Sequence, residues 1–155
     1  MKKWWSLLLL LLGLDVVTKI LTLDLIPPLS NEGYPFGGIG LFSLGGITFS
    51  LNYITNTGAA WGVFAGHAGL LFALRSAIIL ALVAFTPKRF PLWLVVTGAI
   101  GNAIDYCLYG HVIDFFHFTF WGYEFPIFNV ADSCITLGVL SLLFLPKKSP
   151  ESHPV

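Results

Sequence analysis

The chain has 155 residues, 56% of them hydrophobic and 10% charged, which leaves too little charge to cover a water-soluble globule and reads as a single-domain integral membrane protein. Eight basic residues balance eight acidic ones, so there is no basic surplus of the kind that nucleic-acid phosphates demand.

In chain order, a first span runs from about Trp4 to Leu23, preceded by Lys2 and Lys3 and built on the leucine run Leu7 to Leu12. A cleavable signal peptide has a similar start, but the small-residue cleavage site is missing and Asp15 and Lys19 interrupt the apolar run, so a retained helix is expected. Asp15 and Lys19 are four apart with the acid first, the favourable order for a helical ion pair. On its own that pair reads as structural, neutralising itself on the bundle side.

The connection from about Asp24 to Ala68 is long enough to carry its own structure. Its glycine- and proline-rich first half, Pro27 to Gly46, reads as turns. From Ile47 to Tyr53 apolar residues alternate, with Ile47, Phe49, Leu51 and Tyr53 on one face of a half-buried strand. Phe42 and Leu44 extend an opposing strand across Gly45-Gly46. The segment from Gly58 to Phe64 is expected to form a short interfacial helix with Trp61 at headgroup depth. Together these make a small sheet and helix platform outside the membrane.

Three more spans follow, at about Gly69 to Phe85, Phe90 to Leu108 and Val130 to Leu145, giving an α-helical membrane protein with four transmembrane helices. Residues 1–148 then form one membrane-embedded unit, and 149–155 a polar, disordered tail. Basic residues at Lys2 and Lys3, Lys88 and Arg89, and Lys147 and Lys148 all fall on one side, while the other two connections hold no lysine or arginine. Both termini are therefore expected in the cytoplasm.

Acids in or beside hydrocarbon cost several kcal/mol, on insertion scales roughly +2.5 to +3.5, unless paired or used. Asn102 and Asp105 share one face near the outer end of the third span, and Asn129 and Asp132 repeat that spacing where the fourth begins. Weighed alone, Asn129 and Asp132 are best read as an N-cap and its reciprocal partner. Asp114 has no capping role to explain it, lies among apolar neighbours, and should share a depth with Asp132, which turns the balance towards a pair of working carboxyl groups.

Other chemistries fare worse. Two cysteines, Cys107 and Cys134, are too few for a disulfide framework or a four-cysteine metal site, and the four histidines lack the His-Glu-x-x-His spacing of a zinc helix. A thiol hydrolase pairing Cys107 with His111 needs an unbroken helix through Gly110. A small ion channel or proton-coupled transporter would carry polar groups at several depths, whereas these acids gather at one end. Arg75, within the second span, is unexplained.

The chain resembles the lipoprotein signal peptidase (signal peptidase II) family, membrane aspartic proteases that remove signal peptides from bacterial prolipoproteins. Five motifs carry the resemblance in order: Asp15 to Lys19, Asn56 to Ala60, Gly101 to Asp105, Val112 to Phe115, and Phe128 to Ser133. It implies that Asp114 and Asp132 are catalytic, and that Asn56, Asn102, Asp105, Asn129, Asp15 and Lys19 support the site or the substrate. It also implies a diacylglyceryl-modified prolipoprotein cut on the amino side of its lipidated cysteine, a bacterial inner-membrane location, and no cofactor or metal. Membrane lipids are the other expected partner, and a monomer is expected to suffice. One departure stands out: Tyr106 occupies the position where the family usually has an arginine, thought to contact substrate backbone or lipid.

Overall fold

A computed structural model describes residues 2–28, 38–57, 68–85 and 89–144. The expected interfacial helix at 58–64, much of the glycine- and proline-rich stretch, Lys88 and the polar tail lie outside the described residues. Among the described residues, four helices and four strands follow in the order α1 (Lys2–Leu25), β1 (Ile39–Leu44), β2 (Ile47–Asn56), α2 (Ala68–Phe85), α3 (Phe90–Tyr109), β3 (Val112–Phe120), β4 (Tyr123–Glu124) and α4 (Val130–Phe144). The helix bounds agree with the apolar runs to within two residues. Among the described residues, two helices, Trp4–Leu25 and Phe90–Tyr109, are long and apolar enough to cross a membrane, while Ala73–Phe85 and Val130–Phe144 are shorter apolar segments.

The inside and outside of α1 are exchanged relative to a soluble helix. Leu9, Leu10, Val17 and Leu21 are exposed, whereas Asp15, Lys19 and Thr22 are buried, the distribution expected when the solvent is lipid and polar groups must find partners inside the bundle. Helix ends follow local chemistry. Pro91 sits in the first turn of α3, and Gly110, in the left-handed region at φ 75°, ends it by donating its N–H to the Tyr106 carbonyl.

Helices α3 and α4 pack closely because the contact is made at glycines. A Cβ on Gly98 would overlap the Ala131 carbonyl, and one on Gly101 would fall 2.5 Å from Asp15 Oδ2. That proximity brings α1, α3 and the start of α4 together. Leu8, Leu94, Phe115, Val130 and Cys134 form the adjoining hydrophobic core.

The sheet is antiparallel, in the order β1-β2-β3-β4. The hairpin expected across Gly45-Gly46 is present, both glycines having positive φ, as a tight two-residue turn requires. A second hairpin, β3–β4, turns through Trp121 (φ 48°) and Gly122 (φ 84°). The expected alternation through Tyr53 holds only as far as Leu51. Leu51 faces Phe116, but Ile54 faces Asp114, so three steps on β2 match two on β3, and the extra residue is a β-bulge at Asn52–Tyr53. A bulge shifts side-chain parity by one. Beyond it the even-numbered residues of β2, Ile54 and Asn56, take the face that Ile47, Phe49 and Leu51 occupy before it.

Candidate active site

That parity shift positions the first side-chain pair. Asn56 faces Val112, two residues from Asp114 on the same side of β3, which makes Asn56 and Asp114 diagonal neighbours. Asn56 Nδ2 donates to Asp114 Oδ2 at 2.9 Å. The other oxygen, Asp114 Oδ1, accepts from Asn129 Nδ2 at 2.6 Å. Asn129 reaches it because the segment before α4 crosses β3 at the Phe116–Phe128 bridge.

Asn129 is also the N-cap, as the spacing indicates. Its Oδ1 accepts from the Asp132 amide at 2.8 Å, and Asp132 Oδ2 accepts in return from the Asn129 amide at 3.3 Å, the reciprocal arrangement of a capping box. Capping does not exhaust Asp132, whose Oδ1 accepts from Asn102 Nδ2 at 2.8 Å. Asn102 Oδ1 in turn accepts from Asn129 Nδ2 at 3.1 Å. Asp114 and Asp132, on a strand and a helix, are thus joined through two asparagines whose amide orientations are set by their partners.

A second set of contacts lies behind the first. Lys19 Nζ bonds Asp15 Oδ2 and Asp105 Oδ2, both at 2.7 Å, and Asn102 Oδ1 at 3.0 Å. Asp15 Oδ1 accepts from the Ala131 amide at 2.8 Å, and Asp105 Oδ2 from the Ile113 amide at 3.1 Å. The pair foreseen within α1 is therefore one edge of a larger knot tying α1, α3, β3 and the first turn of α4.

Asp114 is 2% exposed. Burial first, and the negative charge of Asp132 second, push its carboxyl up to about 7 against the bonds from Asn56 and Asn129, which favour the ionised form. Asp132 is half-buried and, with Asn56, Asn102, Tyr106 and Arg75, lines a cavity of about 350 Å³ among α2, α3, α4 and the end of β2. All eight polar residues singled out in the sequence fall in these two connected sets.

A sequence profile of the family described as signal peptidase (SPase) II matches residues 7–146. The chain belongs to the signal peptidase II family. Lipoprotein signal peptidases of Chlamydia pneumoniae and Staphylococcus haemolyticus are similar: the first is 36% identical over 150 residues, 89% of this chain and 88% of the relative, and the second 39% identical over 105 residues, 63% and 66%. Two solved structures, each described as a bacterial membrane enzyme, match 92% of this chain and 86% or 91% of theirs with a TM-score of 0.73 at 28% identity.

Membership in signal peptidase II makes the chain a peptidase. The thiol alternative finds no geometric support: α3 ends at Tyr109, so Cys107 and His111 do not share a helical face, and Cys134 lies in the hydrophobic core. Sequence reasoning missed the bulge that brings Asn56 to Asp114, the reach of Lys19 to Asp105, and the β3–β4 hairpin. For the last a signal exists: Phe116, Phe118 and Phe120 recur at period two before the Trp121-Gly122 turn.

Proposed function

We propose that the chain is an aspartic endopeptidase that removes the signal peptide from diacylglyceryl-modified bacterial prolipoproteins, cutting on the amino side of the lipidated cysteine, with Asp114 and Asp132 as the catalytic pair. The observation that carries this reading is the linkage of two buried or half-buried carboxyl groups, from different elements, by neutral amides beside a cavity. Amide donors orient a carboxyl group without supplying a countercharge, and two such groups near one another hold a single proton between them near neutrality.

In the reaction, the ionised member takes a proton from a water held between the two acids while that water's oxygen attacks the scissile carbonyl. The protonated member donates to the developing oxyanion. As the tetrahedral intermediate collapses, the C–N bond breaks, the proton taken from water passes to the departing amine, and the other acid takes its proton back from a hydroxyl of the intermediate as the carbonyl re-forms. Water supplies the hydroxyl of the new carboxyl group, the amine leaves with its proton, and the pair returns to its starting state without a covalent enzyme intermediate. Neither metal nor organic cofactor enters the balance, and both acids come from one chain, so a monomer suffices.

The membrane setting of this reading is a four-span, single-domain unit over residues 1–148 in the bacterial inner membrane, with both termini cytoplasmic and the pair near the outer face. The flanking basic residues support the orientation. Helix α4 has 15 residues, about 22 Å at ~1.5 Å per residue against a core of roughly 30 Å, and begins at Val130, so its start is expected to meet the sheet inside the interface. A signal peptide's apolar helix ends at that depth, where its backbone can leave helical hydrogen bonding and become open to attack.

The test is cleavage of a lipid-modified precursor peptide by purified Asp114→Asn and Asp132→Asn variants in detergent micelles. Each should lose at least the roughly 10²–10⁴-fold that a positioned acid or base contributes, with an unchanged melting temperature. Cleavage at the wild-type rate by either variant would eliminate the proposed pair.

A further inference from the structure

The two faces of the sheet are unlike, and the polar one is the one that is covered. Ser50, Asn52 and His117, bonded to one another on one side, are buried. The other side carries Phe42, Phe49, Phe116, Phe118, Phe120 and Phe128, of which Phe42 is exposed and the rest half-buried. Their rings form one connected layer, with centroids 4.3 Å apart from Phe49 to Phe118 and 5.5 to 6.1 Å apart across the neighbouring pairs. Burying the polar face and leaving rings accessible is the inversion already seen in α1, and an accessible apolar patch of this kind marks a surface that meets hydrocarbon or a ligand.

Asp114 lies on this same face. Along β3 the side chains of Asp114, Phe116, Phe118 and Phe120 alternate to one side, so the layer begins about 7 Å from Asp114 along the strand and reaches about 20 Å from it, at ~3.3 Å per residue.

We infer that the phenylalanine face of the sheet is an acyl-chain subsite of the peptidase, holding the hydrocarbon of the substrate's diacylglyceryl group while the scissile bond lies against Asp114. The inference rests on the peptidase reading above.

Phenylalanine side chains offer neither donor nor acceptor, so what lies on them is hydrocarbon and not peptide backbone. The substrate is favoured over bulk lipid as its source by the continuity of the layer with Asp114. Cleavage on the amino side of the lipidated cysteine puts the acylated side chain on the residue that supplies the departing amine, so in any productive pose the chains start beside the acids. Hydrocarbon already in a bilayer gains nothing from the hydrophobic effect on meeting apolar side chains, and the layer therefore acts through packing, which makes Phe118 a positioning residue with a modest effect.

Two measurements test this. In the first, Asp114→Asn in phosphatidylcholine vesicles is irradiated with a precursor peptide whose acyl chains carry a diazirine, and separately with phosphatidylcholine carrying the same group. The precursor should label β2 and β3 between Ile47 and Phe120, and an excess of unmodified precursor should prevent labelling of that face by either probe. Precursor labels confined to the helices, or labelling by phosphatidylcholine that excess precursor does not displace, overturns the inference. In the second, kcat/KM is compared for precursors with hexadecanoyl and butanoyl chains, using the full chain and its Phe118→Ser and Phe118→Leu variants. Phe118→Ser should reduce the wild-type preference for the longer chains by about fivefold, the loss of one ring's dispersion contacts, and Phe118→Leu should restore most of it. An equal loss on both precursors overturns the inference, and a Phe118→Ser chain that does not fold leaves the labelling result to decide. Failure of the peptidase reading is seen separately, as cleavage of the diazirine precursor by Asp114→Asn.

Discussion

Two groups of acids meet within the same few turns of this molecule and are handled in opposite ways. Around Lys19, Asp15 and Asp105 are held by an ammonium group and by backbone amides of Ala131 and Ile113. Around Asp114 and Asp132, the side-chain donors are the neutral amides of Asn56, Asn102 and Asn129. A carboxylate with a bonded cation is stabilised as an anion and becomes a strut. One with amide donors in a buried place is oriented while retaining access to a proton. Motif spacing alone does not separate the two, since each set contains an acid at helical spacing from a polar partner.

The largest expected effect comes from removing the strut. Lys19 is 1% exposed, so Lys19→Met leaves Asp15 and Asp105 buried without their cation, a change of about 3–5 kcal/mol. A large fall in melting temperature in detergent is expected, with activity lost because the fold is lost. Asp114→Asn should do the reverse, keeping the melting temperature and losing cleavage. A stable Lys19→Met together with an unfolded Asp114→Asn would invert the comparison.

Asn102 is where the two regions touch, accepting from Lys19 and donating to Asp132. Asn102→Ala removes a donor to a carboxyl group, a loss of about 1–3 kcal/mol. Expressed in the transition state, that is roughly ten- to hundredfold in kcat, with a smaller fall in melting temperature than for Lys19→Met. A variant with normal kcat and a melting temperature as low as that of Lys19→Met would assign Asn102 wholly to the structural knot.

The helices were legible because each is an apolar run closed by proline, glycine or a cap, and the first hairpin because alternation meets a Gly45-Gly46 turn. The order of the site was less so. A bulge leaves no compositional mark, so alternation placed Tyr53 on the face that Asn56 finally shares with Asp114. Lys19 and Asp105 are joined only after α1 and α3 are packed through Gly101, a contact that no i,i+4 rule contains. The β3–β4 hairpin was hidden for another reason: with Ile113, Phe115 and Phe116 apolar on both faces, the first half of β3 lacks the polar-apolar contrast that marked β2, and only its end, from Phe116 to Phe120, alternates. Asp114 stood out as chemically odd and its expected depth paired it with Asp132, but the assignment of three asparagines to the same site came from the family resemblance.

The smallest of these effects is a pH dependence, and its sign follows from the environment of Asp114. With its carboxyl pushed up to about 7, the protonated form is favoured below that pH and the ionised form above it. Above it, on the proposed mechanism, the pair would lack the proton that it donates to the oxyanion. Cleavage should therefore fall on the alkaline side, by about tenfold for each unit once well past the apparent pKa. Asn56 sharpens the assignment, because its bond to Asp114 Oδ2 favours the ionised form. Asn56→Ala should move the alkaline limb to higher pH while lowering the maximum rate. A flat profile from pH 6 to 9, or a limb displaced to lower pH in Asn56→Ala, would mean that some other group carries the reacting proton, and the distinction between cation-held and amide-held acids would lose its functional half.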